Sequence, residues 1–127
     1  LDHIAQHWAP MLPHGGCFES FNTGAELDRE TVSHAWAGHP LYHFVRALGG
    51  VRQTAERWDR VLFKPILDWP RVGKCDTVVP TPHGNITVAW ERAGDVRLTL
   101  PVGVTADVEL PSETTTVKGG THVWPSR

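Results

Sequence analysis

A chain of 127 residues with a formal charge of −2 has the size of one ordinary domain, or of a small domain joined to a piece of another. Twelve basic side chains against fourteen acidic ones leave no electrostatic footprint for nucleic acid or an anionic membrane, so neither is expected as a partner. No apolar run approaches the roughly 20 residues of a spanning helix.

The chain starts at Leu1 and carries no basic-then-apolar leader. Leu1 to Leu12 places Ile4, His7, Trp8 and Met11 at helical spacing, and Pro10 and Pro13 are expected to end that helix. Pro13 to Thr31 is a long Gly-containing, polar connection with a possible turn at Asn22-Thr23-Gly24. Connections of that length inside compact domains are usually functional or disordered. A second helix is signalled by Pro40, followed by Leu41, Phe44, Val45 and Leu48 at i, i+3, i+4 and i+7, with Gly49 as its expected cap.

Near Gly49-Gly50 the period changes from helical to alternating. Strands are expected over Arg60 to Ile66, Asp76 to Thr81, Asn85 to Glu91, Val96 to Leu100, Ala106 to Leu110, Thr114 to Lys118 and Thr121 to Trp124. Pro82-His83-Gly84 reads as a hairpin turn. Short strands at about ten-residue spacing suggest an antiparallel β-sandwich. The expected organisation is therefore α+β, with residues 1–49 helical and 50–127 a β-sandwich. Two amphipathic helices and a loop have no partner for their apolar faces, so residues 1–49 read as the end of a larger domain.

Cys17 and Cys75 are far apart and lack a CxxC spacing, so two buried thiols are expected rather than a disulfide or a zinc site. His3/His7 and His39/His43 have the i, i+4 spacing of metal ligands, but neither pair is accompanied by a third ligand in an H-E-x-x-H pattern, and no metal or cofactor is expected. Of the six tryptophans, Trp58, Trp69, Trp90 and Trp124 are expected to be mostly core or interface residues, with sugar stacking the lesser reading.

One segment carries the composition of a sugar-pocket wall. Gly15-Gly16-Cys17-Phe18-Glu19 sets a carboxylate beside aromatic residues, and Ser33-His34-Ala35-Trp36-Ala37-Gly38-His39-Pro40 adds a polar finger and an apolar platform. Leu48-Gly49-Gly50-Val51-Arg52, Val79-Pro80-Thr81-Pro82-His83-Gly84, the strand ending Trp90-Glu91, and Val108-Glu109-Leu110-Pro111 follow in order. In that order the motifs resemble the C-terminal part of bacterial α-L-rhamnosidases, glycoside hydrolase family 78, over about Trp8 to Leu110. Phe18 stands where the family usually has Trp, and Ser33 where it has Cys or Asn.

The resemblance implies the last helices of an α/α six-hairpin barrel followed by the C-terminal β-sandwich of an inverting hydrolase of terminal α-L-rhamnose. The partners it implies are rhamnose-containing glycosides and the upstream barrel of the same polypeptide. Inversion needs a protonated acid at the leaving oxygen and a carboxylate activating water on the opposite face, roughly 6.5–9.5 Å apart. Glu19 matches the family's general base, and Phe18 and Phe21 would dry its surroundings, one way a carboxylate is tuned for base catalysis. The plain alternative for Glu19 is a solvated loop carboxylate, with Glu26 in reserve beside Asp28 and Glu30. His34 matches the family's pocket histidine, bonding a sugar hydroxyl; alternatively it satisfies local backbone at a helix start. Trp36 offers a face to the sugar's C6 methyl or serves as a core anchor. The general acid has no match here, Asp2 being the lone upstream carboxylate, so the isolated chain is expected to be inactive. Another α/α-barrel glycosidase and a free-standing carbohydrate-binding β-sandwich are the competing readings.

Overall fold

The computed structural model describes residues 1–21 and 33–126, and the chain divides into two units, Leu1–Phe44 and Val45–Arg127. Among the described residues no helix is long and apolar enough to cross a membrane.

The second unit is a six-stranded sheet built from β1 (Val51–Gln53), β2 (Arg60–Phe63), β3 (Lys74–Thr81), β4 (Gly84–Glu91), β5 (Asp95–Glu109) and β6 (Thr114–Pro125). Its order is β1-β2-β5-β4-β3, with β6 also paired to β5. Strand β5 organises the whole. Its first half pairs with β4, from Thr87↔Thr99 to Trp90↔Val96; its second half pairs with β2, from Arg60↔Thr105 to Phe63↔Val108. β6 follows it along both halves, with a register shift between Leu100 and Thr105.

Two expectations are corrected here. The β2–β5 pairing is parallel, so the sheet is not wholly antiparallel. A parallel pair needs a crossover connection rather than a tight turn, and β3 and β4 lie in that connection. The separate strands expected at Val96 to Leu100 and Ala106 to Leu110 are one strand, as are those at Thr114 to Lys118 and Thr121 to Trp124. The stretches around Gly103 and Gly119-Gly120 look like turn signals in sequence but form a bulge that bends the paired strands without ending them.

Alternation along these strands fills one core. Ile86, Val88 and Trp90 of β4, Val96, Leu98, Val104, Ala106 and Val108 of β5, and Val61 and Phe63 of β2 are all at most 2 % exposed. Burying each large apolar side chain contributes about 1.5–3 kcal/mol. Phe63 pairs with Val108 on one half of β5, and Trp124 pairs with Val96 on the other. Their ring centroids are 6.2 Å apart, so the sheet curls back and its two halves face each other. The Trp90 indole N–H donates to the Leu48 carbonyl at 2.7 Å, satisfying a polar group that burial would otherwise orphan. β2 stops at Phe63, short of the expected Ile66. Lys64 N–H donates to Gly50 at 2.8 Å, and Pro65 has no N–H to continue the ladder. Gly50, not the expected Gly49, takes the left-handed conformation (φ +72°), and a Cβ there would lie 2.2 Å from Pro65 N.

The first unit is built from short helical pieces. α1 runs Asp2–Trp8 and gives way to a 3-10 turn over Ala9–His14. The α-helix thus ends just before Pro10, one of the two prolines expected to end it, because Pro10 supplies no N–H for the next α-helical bond. A second 3-10 turn, Ala35–Gly38, precedes α2, Pro40–Ala47. The apolar stripe expected on α2 is only partly covered: Leu48 just beyond it is buried, Phe44 and Val45 are half-buried, and Leu41 is 71 % exposed.

Candidate functional site

The first unit contains a cleft of about 340 Å³ lined by Trp8, Phe18, Glu19, Phe21, His34, Trp36, Ala37 and His39. It gathers Glu19, His34 and Trp36, the three site residues singled out in the sequence, from two segments of the unit. Four contacts hold the segments. The His34 N–H donates to the Cys17 carbonyl at 2.7 Å, fixing the start of one segment two residues before Glu19. The Trp8 indole N–H donates to the Ala37 carbonyl at 2.7 Å. Trp8 also meets Phe21 edge-on at 4.8 Å and His39 at 5.1 Å between ring centroids. Trp8 is therefore the post around which the cleft is assembled, a role helical spacing alone did not reveal.

Inside the cleft, the rings of His34 and Trp36 are nearly perpendicular at 5.7 Å. Trp36 is 85 % exposed, so among the described residues it is not a core anchor. A bare indole face beside a half-buried imidazole is what a sugar with one apolar edge and several hydroxyls would use. His39 Nδ1 lies 3.1 Å from the Trp36 carbonyl and steadies the turn that presents the indole.

Glu19 is exposed, and the dry surroundings expected for it are not supplied by the described residues. Phe18 points into the unit's interior instead: it is 2 % exposed, and its N–H donates to Met11 Sδ at 3.4 Å. Phe21 is half-exposed and spent on His7 and Trp8. The reserve candidate Glu26, with Asp28 and Glu30, lies outside the described residues.

The paired histidines meet ring to ring, His3 tilted against His7 at 4.3 Å and His39 edge-on to His43 at 5.6 Å. Among the described residues no group of three or more metal-ligating side chains converges. Cys17 and Cys75 are free and half-buried, not fully buried as expected. Partial burial, with the neighbouring Asp76 adding to it, pushes the Cys75 thiol pKa up, so this sulfur is kept protonated and is not a poised nucleophile. Trp90 and Trp124 are core residues as expected, while Trp58 and Trp69 are half-buried.

Beside the cleft the same unit carries an apolar hollow of about 480 Å³, lined by residues including Met11, Leu12, Pro40, Leu41 and Phe44. Leu12 is 78 % exposed and Leu41 71 %.

Comparison with known proteins adds a family and a fold. The family model for the bacterial alpha-L-rhamnosidase C-terminal domain matches residues 50–124. Among solved structures, the native alpha-L-rhamnosidase from Aspergillus terreus shares 20 % identity at a TM-score of 0.79, covering 94 % of this chain and 16 % of that one. The alpha-L-rhamnosidase from Dictyoglumus thermophilum shares 16 % identity at a TM-score of 0.76, covering 89 % of this chain and 16 % of that one. A third similar structure, the alpha-L-rhamnosidase from Streptomyces avermitilis complexed with L-rhamnose, gives 14 % identity and a TM-score of 0.76, covering 91 % of this chain and 14 % of that one. At these identities the likeness concerns the fold, and the chain spans no more than 16 % of any of the three. Among curated protein sequences it has no match.

Proposed function

The chain belongs to the family of bacterial alpha-L-rhamnosidase C-terminal domains, and from that premise we propose that it is the C-terminal part of an inverting glycoside hydrolase that releases terminal α-L-rhamnose. The observation that carries this reading is the cleft that brings Glu19, His34 and Trp36 together. In it Glu19 acts as the general base, drawing a proton from the water that attacks the anomeric carbon. His34 bonds a rhamnose hydroxyl, and Trp36 lays its indole against the C6 methyl, the one apolar edge of the sugar. The general acid comes from elsewhere in the longer polypeptide, across a gap of roughly 6.5–9.5 Å that leaves room for the water.

On this reading residues 1–49 are the closing helices of the α/α barrel, and residues 50–127 are the β-domain that follows it in the chain. The exposed Leu12 and Leu41 and the apolar hollow they line fit a surface covered by the rest of the barrel. That covering would also exclude water from Glu19, which the described residues leave exposed.

The test has two arms. The purified 127-residue chain is expected to show no turnover of an aryl α-L-rhamnoside above the uncatalysed rate. A longer protein carrying this chain is expected to turn it over and to prefer it to aryl fucosides, glucosides and galactosides. Turnover by the isolated chain that Glu19→Gln abolishes, or a preference for another sugar in the longer protein, would overturn the proposal.

A further inference from the structure

The 3-10 turn that carries Trp36 ends on His39, and this second imidazole also lines the cleft. Its Nδ1 lies 3.1 Å from the Trp36 carbonyl, while the next carbonyl, that of Ala37, accepts from the Trp8 indole at 2.7 Å. Capping the turn accounts for one ring nitrogen of His39 and leaves the other to be explained. A carbonyl oxygen only accepts, so Nδ1 carries the hydrogen and Nε2 of the neutral ring is an acceptor. That second nitrogen makes no hydrogen bond among the described residues, and the residue is exposed. The ring is braced, standing edge-on to Trp8 at 5.1 Å and to His43 at 5.6 Å. A set tautomer on a braced ring is a preorganised acceptor.

The cleft has few polar side-chain atoms with which to meet a sugar. The Glu19 carboxylate is assigned to the attacking water, and the Trp8 N–H is spent on Ala37. His34, the Trp36 N–H and His39 Nε2 are left. A terminal rhamnose brings free hydroxyls at C2, C3 and C4, and each one that sheds water without gaining a partner weakens binding. One imidazole cannot meet them all.

We propose that His39 is a further specificity residue, its Nε2 accepting a hydrogen bond from one ring hydroxyl of the rhamnose whose C6 methyl rests on Trp36. This role rests on the rhamnoside reading of the cleft. It adds a second imidazole, placed by the same turn that presents the indole.

In a longer protein carrying this chain, kcat/KM is measured for an aryl α-L-rhamnoside and for its 2-, 3- and 4-deoxy analogues, with His39→Asn beside the unmutated protein. The asparagine amide keeps a donor near the Trp36 carbonyl and has no atom at the place of Nε2, so the acceptor goes while the turn stays capped. His39→Asn is expected to lower kcat/KM for the parent rhamnoside by about three- to tenfold, the worth of one neutral hydrogen bond. With the one analogue that lacks the hydroxyl His39 takes, the variant and the unmutated protein should agree within about twofold, because the contact is then missing from both. Substrates are compared on one protein sample, so a partly unfolded variant does not mimic this pattern. A loss of equal size with the parent and every analogue would mean that His39 only shapes the turn, and no loss at all would mean that it touches no substrate. Either result would overturn this role and leave the rhamnoside reading standing. Absence of rhamnoside hydrolysis by the unmutated longer protein would overturn that reading, and the role of His39 with it.

Discussion

The two units differ in what holds them together. Val45–Arg127 packs an alternating sheet around side chains such as Phe63, Ile86, Val88, Trp90, Val96 and Leu98, each at most 2 % exposed. Leu1–Phe44 buries Met11, Phe18 and Pro40 among its described residues, and leaves Leu12, Trp36, Leu41 and Tyr42 mostly in solvent. The side chains suited to chemistry on a sugar sit on the poorly packed unit, and the family match sits on the well-packed one. A catalytic wall needs its rotamers locked by surrounding structure. In the first unit that locking falls to a few contacts, chiefly the Trp8–Ala37 and His34–Cys17 hydrogen bonds.

The contrast breaks most readily in the core. Trp90→Ala removes a fully buried indole and orphans the Leu48 carbonyl, so urea unfolding followed by near-ultraviolet circular dichroism should show a loss of about 3–5 kcal/mol. Met11→Ala should cost under about 2 kcal/mol, below the usual core range, because Met11 already borders an open hollow. Equal losses would mean that the first unit is packed as well as the second.

A smaller effect is expected at Gly50, where φ is +72° and an added Cβ would meet the Pro65 backbone. Gly50→Ala should cost about 1–3 kcal/mol or more in the same experiment. Gly38 has φ outside the left-handed region and nothing within 4 Å of an added Cβ, so Gly38→Ala should be nearly silent. A silent Gly50→Ala would undercut the close approach that ties the start of β1 to the chain after β2.

The smallest effect concerns pH. The Arg60 guanidinium grips Asp107 through two 2.6 Å hydrogen bonds, and Thr116 adds a third at 2.9 Å. These bonds, Arg60 first, hold the Asp107 carboxyl below its ordinary pKa in the folded chain. A carboxyl with a lowered folded pKa contributes stability above its unfolded value, about 3.9, and loses it as pH falls through the folded value. Asp107→Asn should therefore flatten the fall in melting temperature below about pH 4 and change little near neutrality, since the pair is exposed. An unchanged acid slope would show that the pair contributes nothing.

Much of the second unit was legible in the sequence because a period of two marks a half-buried strand directly. Ile86-Val88-Trp90 and Val96-Leu98-Leu100 are buried as the alternation requires. Strand continuity was not legible. Gly103 and Gly119-Gly120 carry the residue types of turns, and only long-range pairing of β5 with β6 shows that they bend a strand instead of ending it. The parallel β2–β5 pair was hidden for the same reason, since pairing partners distant in sequence leave no local mark. In the first unit, helix α2 was legible from Pro40 and its apolar spacing, and the cleft was foreshadowed by the motif residues. The exposure of Glu19 was not, because it depends on where Phe18 turns, and Phe18 turns toward Met11. Trp8 looked like one more helical apolar position until its indole was seen to reach Ala37.

The central claim is that Glu19 belongs to a catalytic wall and contributes nothing to the fold. In a longer protein carrying this chain, steady-state hydrolysis of an aryl α-L-rhamnoside by Glu19→Gln, measured beside its melting temperature, tests this most directly. The account predicts that kcat falls by about 10²–10⁴-fold, the usual contribution of a general base, while the melting temperature does not fall, because a carboxylate shielded from water by the barrel costs the fold more than a neutral glutamine. A kcat within a few-fold of the unmutated protein, or a loss of activity that merely follows a loss of stability, would contradict it.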